Sequence, residues 1–358
     1  MKLLADEATS YPTPPPDFDA RPYRPGWLDY LYARISALPI PTWVFYLALW
    51  FALVVLFGLL GWVQGADPTM LLPLLAVDAA TYIVYYLALM HYLNHTARRA
   101  LTQFRPLLQV DDGEFARLEY ELTTLPARST LLATGAGVAI TLISLLFAPS
   151  NQMMADLVRN PTIQLVYSVG NAILAVFAYH TIRQLRMISR ILTSVSDLDL
   201  FRRGPIYAFS GVTARTALGW LVGLSMGLSP RIVQLLTPDR VELLWAPLAP
   251  FAILVFVLPL IGAHRLLVRE KTRLQDEVEQ RVEVAFQRLH DQQDTDDFSH
   301  LGDRKTLLDM LLIERELVAK LPTWPWNPGT LAGFGSALLL PLLVWLLQQL
   351  LTNWLPGR

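Results

Sequence analysis

Seven mostly apolar stretches, each about 20 residues long, constrain this chain more than any other feature of its sequence. A helix needs about 20 residues to cross the hydrocarbon core of a bilayer. The predicted spans are 41–63, 70–93, 130–148, 163–182, 206–228, 243–263 and 330–351. Charged residues make up only 16% of the chain, against about 25% in soluble domains. The sequence therefore predicts an all-α, multi-pass membrane protein.

Basic residues alternate between the loops. Arginine is frequent in the N-terminal tail and in the loops after spans 2, 4 and 6, and it is scarce in the loops between them. Because basic loops stay on the cytoplasmic side, this pattern places the N-terminus and residues 264–328 in the cytoplasm and the C-terminus outside. This orientation requires the fifth stretch to cross the membrane. We expect a plasma membrane of the bacterial type.

The remaining segments complete the predicted domain organisation. Residues 1–25 are rich in proline and predict a disordered cytoplasmic tail. The membrane domain, 26–263, is expected to begin with a short interfacial helix and to continue through six spans. The apolar residues that recur at helical spacing in this helix are Trp27, Leu28, Tyr30, Leu31, Ile35 and Leu38. Residues 323–358 hold a tryptophan-rich anchor and the seventh span.

The longest predicted excursion from the membrane is 264–322. It contains two amphipathic runs separated by the acidic sequence QQDTDDFSH. One apolar stripe includes Leu267, Leu274 and Val278, and a second includes Leu308, Leu311 and Val318. Two such helices joined by a short polar loop predict a cytoplasmic helical hairpin, because folding back buries both stripes.

Polar residues inside the predicted spans are candidates for function. Asp78 lies in span 2, Asn171 in span 4 and Arg215 in span 5. A charge within the bilayer needs a partner or water, and helical rise allows Asp78 and Arg215 to lie at similar depths. Three interpretations stay open: a structural ion pair, an Arg215 side chain that extends alone toward the cytoplasm, or a polar path for an ion or substrate.

The fifth span also contains Gly219, Gly223 and Gly227 at intervals of four residues. Such small-residue ridges let a neighbouring helix approach closely. The same segment spells G-x-S-x-G around Ser225, which is also the pattern of a hydrolase nucleophile elbow. An elbow needs a strand before the serine, whereas this copy sits within one apolar helix, so we interpret the ridge as a packing surface.

Histidines concentrate near the inner ends of the even-numbered spans: His91, His95, His180 and His264. His91 and His95 share a helix face at a spacing that could hold a metal, so a metal site stays open as an alternative. The chain has no cysteine, which excludes thiolate ligands and cysteine nucleophiles. No catalytic set of residues emerges, and the sequence predicts no cofactor.

Two classes of function follow. The first is a non-enzymatic scaffold or signal-coupling protein that acts through the hairpin, with a second copy or a cytoplasmic protein as partner at 264–322. The second is a transporter or channel built around Asp78, Asn171 and Arg215, supported by the prolines that interrupt span 6. A net charge of −1 gives no indication of nucleic acid binding, and the lipid bilayer is an expected partner of both.

Overall fold

The computed structural model describes residues 22–63, 71–144, 160–194, 204–227, 248–293, 301–326, 328–337 and 339. Within these ranges the regular structure is helical, apart from an isolated β-bridge between Pro25 and Pro126. The predicted all-α fold class is confirmed.

The helices are numbered here in chain order. They are α1 (Trp27–Ala37), α2 (Thr42–Val63), α3 (Leu71–Phe104), α4 (Asp112–Thr123), α5 (Ala127–Ser144), α6 (Pro161–Thr193), α7 (Gly204–Gly227), α8 (Leu248–Val257), α9 (Ile261–Gln293), α10 (Leu301–Ala319) and α11 (328–337). Short 3₁₀ turns at Arg105–Leu107 and Leu258–Leu260 follow α3 and α8.

Three helices within the described ranges are long and apolar enough to cross a membrane. They are α2, α6 and the continuous run Pro250–Arg288, which joins α8 to most of α9. The chain therefore has helices suited to a bilayer, as the sequence predicts. Their number is three, however, and not the seven that the apolar stretches indicate.

The other predicted spans are not among these three. The helices α3 and α7 lie at the second and fifth positions and contain Asp78 and Arg215. At the third position the described part of α5 holds a shorter apolar helix, Ala127–Ile143, and residues 145–148 of that predicted span lie outside the described residues. Most of the seventh stretch, 330–351, lies outside the described residues.

The chain divides into two compact units. Unit 1 comprises Met1–Arg98, Val110–Leu185 and Gly219–Leu248. Its core contains an aromatic cluster: the ring centroid of Phe177 in α6 lies 4.8 Å from that of Tyr86 in α3 and 4.7 Å from that of Trp220 in α7. These large rings bury much apolar area and tie three helices of the unit together.

An extended strap at residues 22–26 is also part of unit 1. The Gly26 amide donates to the Leu125 carbonyl at 2.8 Å, and the Ala127 amide donates to the Arg24 carbonyl at 3.0 Å. Residues 22–25, predicted as the end of a disordered tail, are thus bound to the α4–α5 connection, because backbone partners are available there. Residues 1–21 lie outside the described ranges.

The apolar face of α1 is covered by protein. Leu28, Tyr32 and Ile35 are buried, and the Tyr32 hydroxyl donates to the Leu87 carbonyl in α3 at 2.9 Å. The opposite side leaves Tyr30 exposed. The helix predicted from this pattern is present, and it also contacts α2 and α5.

Unit 2 comprises Arg99–Gln109, Arg186–Leu218 and Ala249–Arg358. The rings of Phe104 and Phe209 lie 5.2 Å apart, and the rings of Phe256 and Phe334 lie 4.4 Å apart. The helices α9 and α10 also belong to this unit and pack against each other.

Candidate functional site

The pair formed by α9 and α10 is held mainly by apolar contact. Val278 of α9 and Val318 of α10 are each only 2% exposed. Two ion pairs join the helices at the surface, Arg281 to Glu314 at 3.5 Å and Arg315 to Glu279 at 3.6 Å. Since exposed pairs contribute about 1 kcal/mol or less, they fix the alignment of the helices more than their stability.

The base of the helix pair is closed by a lysine. The Lys271 ammonium donates to the carbonyl oxygens of Ala319 at 2.7 Å and Leu321 at 2.9 Å. These carbonyls lie at the C-terminal end of α10, where backbone acceptors have no partner within the helix and the helix dipole favours a cation. Lys271 therefore ties the end of α10 back to α9.

Stacked rings extend this closure toward residue 256. The His264 ring stacks on Trp324 with centroids 3.9 Å apart, and Trp324 stacks on Trp326 at 4.2 Å. His264 Nδ1 lies 2.8 Å from the Thr323 carbonyl and donates to it, because a carbonyl can only accept. Phe256 continues the stack beyond Trp326, with centroids 5.6 Å apart. The segment after α10 is thus fixed to the start of α9.

One face of α10 remains exposed. Leu307, Met310, Ile313 and Leu317 are 52%, 62%, 58% and 55% exposed. At about 100° per residue these four side chains fall within about 120° of the helix circumference. The buried Val318 falls about 20° from Leu307, at one edge of this arc, and about 100° from Leu317 and 140° from Ile313. We call Leu307, Met310, Ile313 and Leu317 the outer row.

A groove lies on the other side of α10. It has a volume of about 360 Å³ and is lined by Gln275, Glu279, Leu312, Arg315, Glu316, Val318 and Ala319. Its lining mixes charged and apolar side chains. The outer row consists of four apolar side chains, and Glu314, which pairs with Arg281, falls within the same arc.

No known protein family, curated protein or solved structure matches this chain.

The predicted intramembrane polar residues do not share one compact unit. Asp78 and Asn171 belong to unit 1, and Arg215 belongs to unit 2. The Asn171 amide donates to the Thr141 hydroxyl in α5 at 3.0 Å. Arg215 is exposed. The ion pair between Asp78 and Arg215 stays a prediction.

The glycine ridge lies against side chains of α3. A Cβ atom on Gly223 would collide with the Tyr86 ring, and one on Gly219 would collide with Leu89. The Tyr85 hydroxyl also donates to the Gly219 carbonyl at 2.9 Å. Gly227 is the last residue of α7. Ser225 donates to the Val222 carbonyl of its own helix at 2.7 Å.

The four predicted histidines each have a local environment of their own. His91 Nδ1 lies 3.0 Å from the Tyr46 hydroxyl, and His180 Nε2 lies 2.7 Å from the Asn94 amide oxygen. Burial, followed by the charge of Arg98, lowers the pKa of His95. His264 stacks on Trp324, as described above. The described part of the chain contains no group of three or more His, Cys, Asp or Glu residues that could hold a metal ion.

A cluster around Tyr23 was not anticipated from the sequence. Arg183 of α6 donates to the Tyr23 hydroxyl at 2.6 Å and to the Glu121 carbonyl at 3.1 Å. Tyr23 donates to the Thr124 carbonyl at 3.0 Å, and burial raises the pKa of its hydroxyl far above the ordinary range. The partners are separated by 160 residues, so no local spacing could reveal them.

Asp29 lies beside this cluster. Its Oδ2 atom accepts from the Gly26 and Leu125 amides, each at 3.0 Å. Burial raises the pKa of this carboxyl to about 7, although the two amides and the Arg183 charge oppose the shift. Asp29 thus joins the strap, α1 and the α4–α5 connection through a group that titrates near neutral pH.

Proposed function

We propose that this chain is a non-enzymatic, multi-pass protein of the plasma membrane that binds a protein partner through α9 and α10. Its role would be that of a scaffold or a signal coupler. In this proposal the chain has seven spans and a cytoplasmic N-terminus. The hairpin of residues 264–322 lies in the cytoplasm, and the C-terminus lies outside.

The topology part of the proposal is supported by length and charge. The run Pro250–Arg288 has 39 residues, which corresponds to about 58 Å of helix against a hydrocarbon core of about 30 Å. Nearly half of this helix must therefore project from the bilayer. Arg265, Arg269 and Arg273 begin the projecting half, and arginine at a span end indicates the cytoplasmic side.

The observation that carries the binding role is the outer row. Its four apolar side chains are more than half exposed, although they lie on a helix whose other apolar face is already packed on α9. Contiguous exposed apolar side chains typically mark an interaction surface, and a row at helical spacing fits the groove or helix of another protein.

Labelling of introduced thiols tests the topology. The chain has no cysteine, so Glu283→Cys on α9 creates the only thiol. We expect a membrane-impermeant maleimide to label it in permeabilised cells and not in intact ones. Equal labelling in intact cells would place the hairpin outside and refute the proposed orientation.

Photo-crosslinking tests the binding role. A photoreactive amino acid at Ile313, in the outer row, is expected to give a protein adduct in cells, whereas the same group at exposed Glu283 is expected to give little. The matched position separates specific contact from random collision. Adducts of equal yield at both positions, or at neither, would contradict a role of this face in binding.

A further inference from the structure

The outer row stands too far from the bilayer for lipid to cover it, if the hairpin has the proposed cytoplasmic position on which this inference rests. The Arg281–Glu314 pair sets residue 314 level with residue 281. The sixth predicted span ends next to His264. Arg281 lies 17 residues further along the chain, which places it about 26 Å along the helix from the end of the span. The row is therefore centred in water, and its occupant must be protein.

A bilayer restricts how a second copy can approach. Two copies in one membrane share the same orientation, so a twofold axis between them runs along the membrane normal. Each residue of α10 then faces the corresponding residue of the partner copy at the same height. A straight apolar row such as Leu307, Met310, Ile313 and Leu317 is self-complementary in this arrangement.

The charges beside the row are complementary in the same geometry. Arg281 and Arg288 are seven residues apart and so lie on one face of α9, next to the row. Arg281 pairs with Glu314 of its own chain. Asp309 is exposed on the far side of the row, whereas Glu316, on the same side, pairs with Lys320 of its own helix. A twofold axis brings the α9 side of one copy to the far side of the other, so Arg288 of each copy meets Asp309 of the other.

We propose that the outer row is a parallel dimer interface in which a second copy of this chain covers Leu307, Met310, Ile313 and Leu317. The two helix pairs then form a four-helix bundle outside the membrane. The interface places Arg288 of each copy near the level of Asp309 of the other. Its apolar centre excludes water, and its charged edges set the alignment.

Disulfide crosslinking of the full-length protein in native membranes tests this arrangement. Ile313→Cys and Leu317→Cys are each expected to give a species of twice the chain mass of 40.3 kDa after mild oxidation. Leu312→Cys is the matched control, since Leu312 is 40% exposed, neighbours Ile313 and lies on the groove side. Maleimide labelling shows that all three thiols are reactive. Equal crosslinking at 312 and 313, or none at 313 and 317, overturns the proposal.

Charge exchange tests the edges of the interface. With Met310→Cys as the reporter, Arg288→Glu and Asp309→Arg are each expected to reduce the crosslinked fraction several-fold, and the double variant is expected to recover it. If each single variant lowers the crosslinked fraction and the double variant does not restore it, the proposed pairing of Arg288 with Asp309 is overturned. A loss in all three that coincides with reduced maleimide reactivity at position 310 overturns the exposed placement of this face.

The photo-crosslinking experiment at Ile313 separates this inference from the proposed function. An adduct of exactly two chains supports both. An adduct with a different protein, without disulfide dimers, leaves the binding role in place and overturns the second copy as its occupant. The absence of any adduct contradicts both.

Discussion

At the scale of single residues, the carboxyl of Asp29 links three segments of unit 1 and has a pKa of about 7. Since its ordinary pKa is 3.8, the folded state holds this proton more tightly than the unfolded state. The contribution of Asp29 to stability is therefore complete below about pH 4 and is lost as the pH rises to about 7.

Asp29→Asn is expected to remove this pH dependence, because the amide stays neutral and keeps an oxygen that can accept from the Gly26 and Leu125 amides. Apparent melting temperatures of the purified protein at pH 5 and pH 8 measure the effect. The wild type should lose up to a few kcal/mol more than the variant between these values, since one pKa unit corresponds to about 1.4 kcal/mol. Parallel pH profiles for the two proteins would refute this role.

The Gly223 position is a second test at the same scale. Gly223→Val places side-chain atoms where the Tyr86 ring lies, so we expect the free energy of unfolding to fall by about 1–3 kcal/mol. Gly58→Ala in α2 is the control, because its added Cβ meets open space, and it should leave stability unchanged or slightly raised. Unchanged melting of Gly223→Val would show that α7 does not need the close approach.

At the scale of elements, the two amphipathic runs of 264–322 were predictable because their apolar residues recur at helical spacing. The outer row was not identified, since Leu307, Met310, Ile313 and Leu317 form a second stripe on a helix whose first stripe already accounted for its packing. The tryptophans at 324 and 326 were assigned to the membrane interface from composition. In the structure Trp324 stacks on His264 and Trp326 stacks on Trp324, and the contact with His264 depends on the tertiary fold.

Lys271 provides a test of the paired helices. Lys271→Met keeps much of the side-chain length but removes the bonds to the Ala319 and Leu321 carbonyls, so the last turn of α10 should open more readily. Hydrogen exchange in 315–321 is expected to rise about fivefold or more, which corresponds to a loss of about 1 kcal/mol. Lys305→Met, at an exposed position of α10, is the control. Equal exchange in both variants would contradict the role of Lys271 as a cap.

At the scale of the whole molecule, helical class and membrane character followed from the apolar stretches, whereas the number of spans did not. The stretches around Asp78 and Arg215 form helices, but these helices are not among the three candidate spans of the described residues. Contacts between distant segments, such as Arg183 with Tyr23, depend on the fold and have no local signature. For this reason the sequence indicated the two amphipathic helices but not the cluster that anchors the N-terminal strap.

The predicted link between Asp78 and Arg215 can be tested at this scale. If the two charges pair, Asp78→Leu and Arg215→Leu should each lower the melting temperature, and the double variant should recover most of the loss, because no unpaired charge then remains in the apolar region. Additive losses in the double variant would show that the residues are independent. That outcome, together with altered ion flux in reconstituted vesicles, would favour the transporter or channel.

The 3₁₀ turn at Leu258–Leu260 has a mechanical consequence. It contains Pro259 and directly precedes α9, which continues as one uninterrupted helix to Gln293. A stiff helix that pivots at a proline-containing turn at one end acts as a lever. Over the roughly 30 Å from this turn to Arg281, a change of about 10° in direction shifts the far end by about 5 Å. Small rearrangements among the spans would therefore displace α10, which packs on α9, by about the length of a side chain.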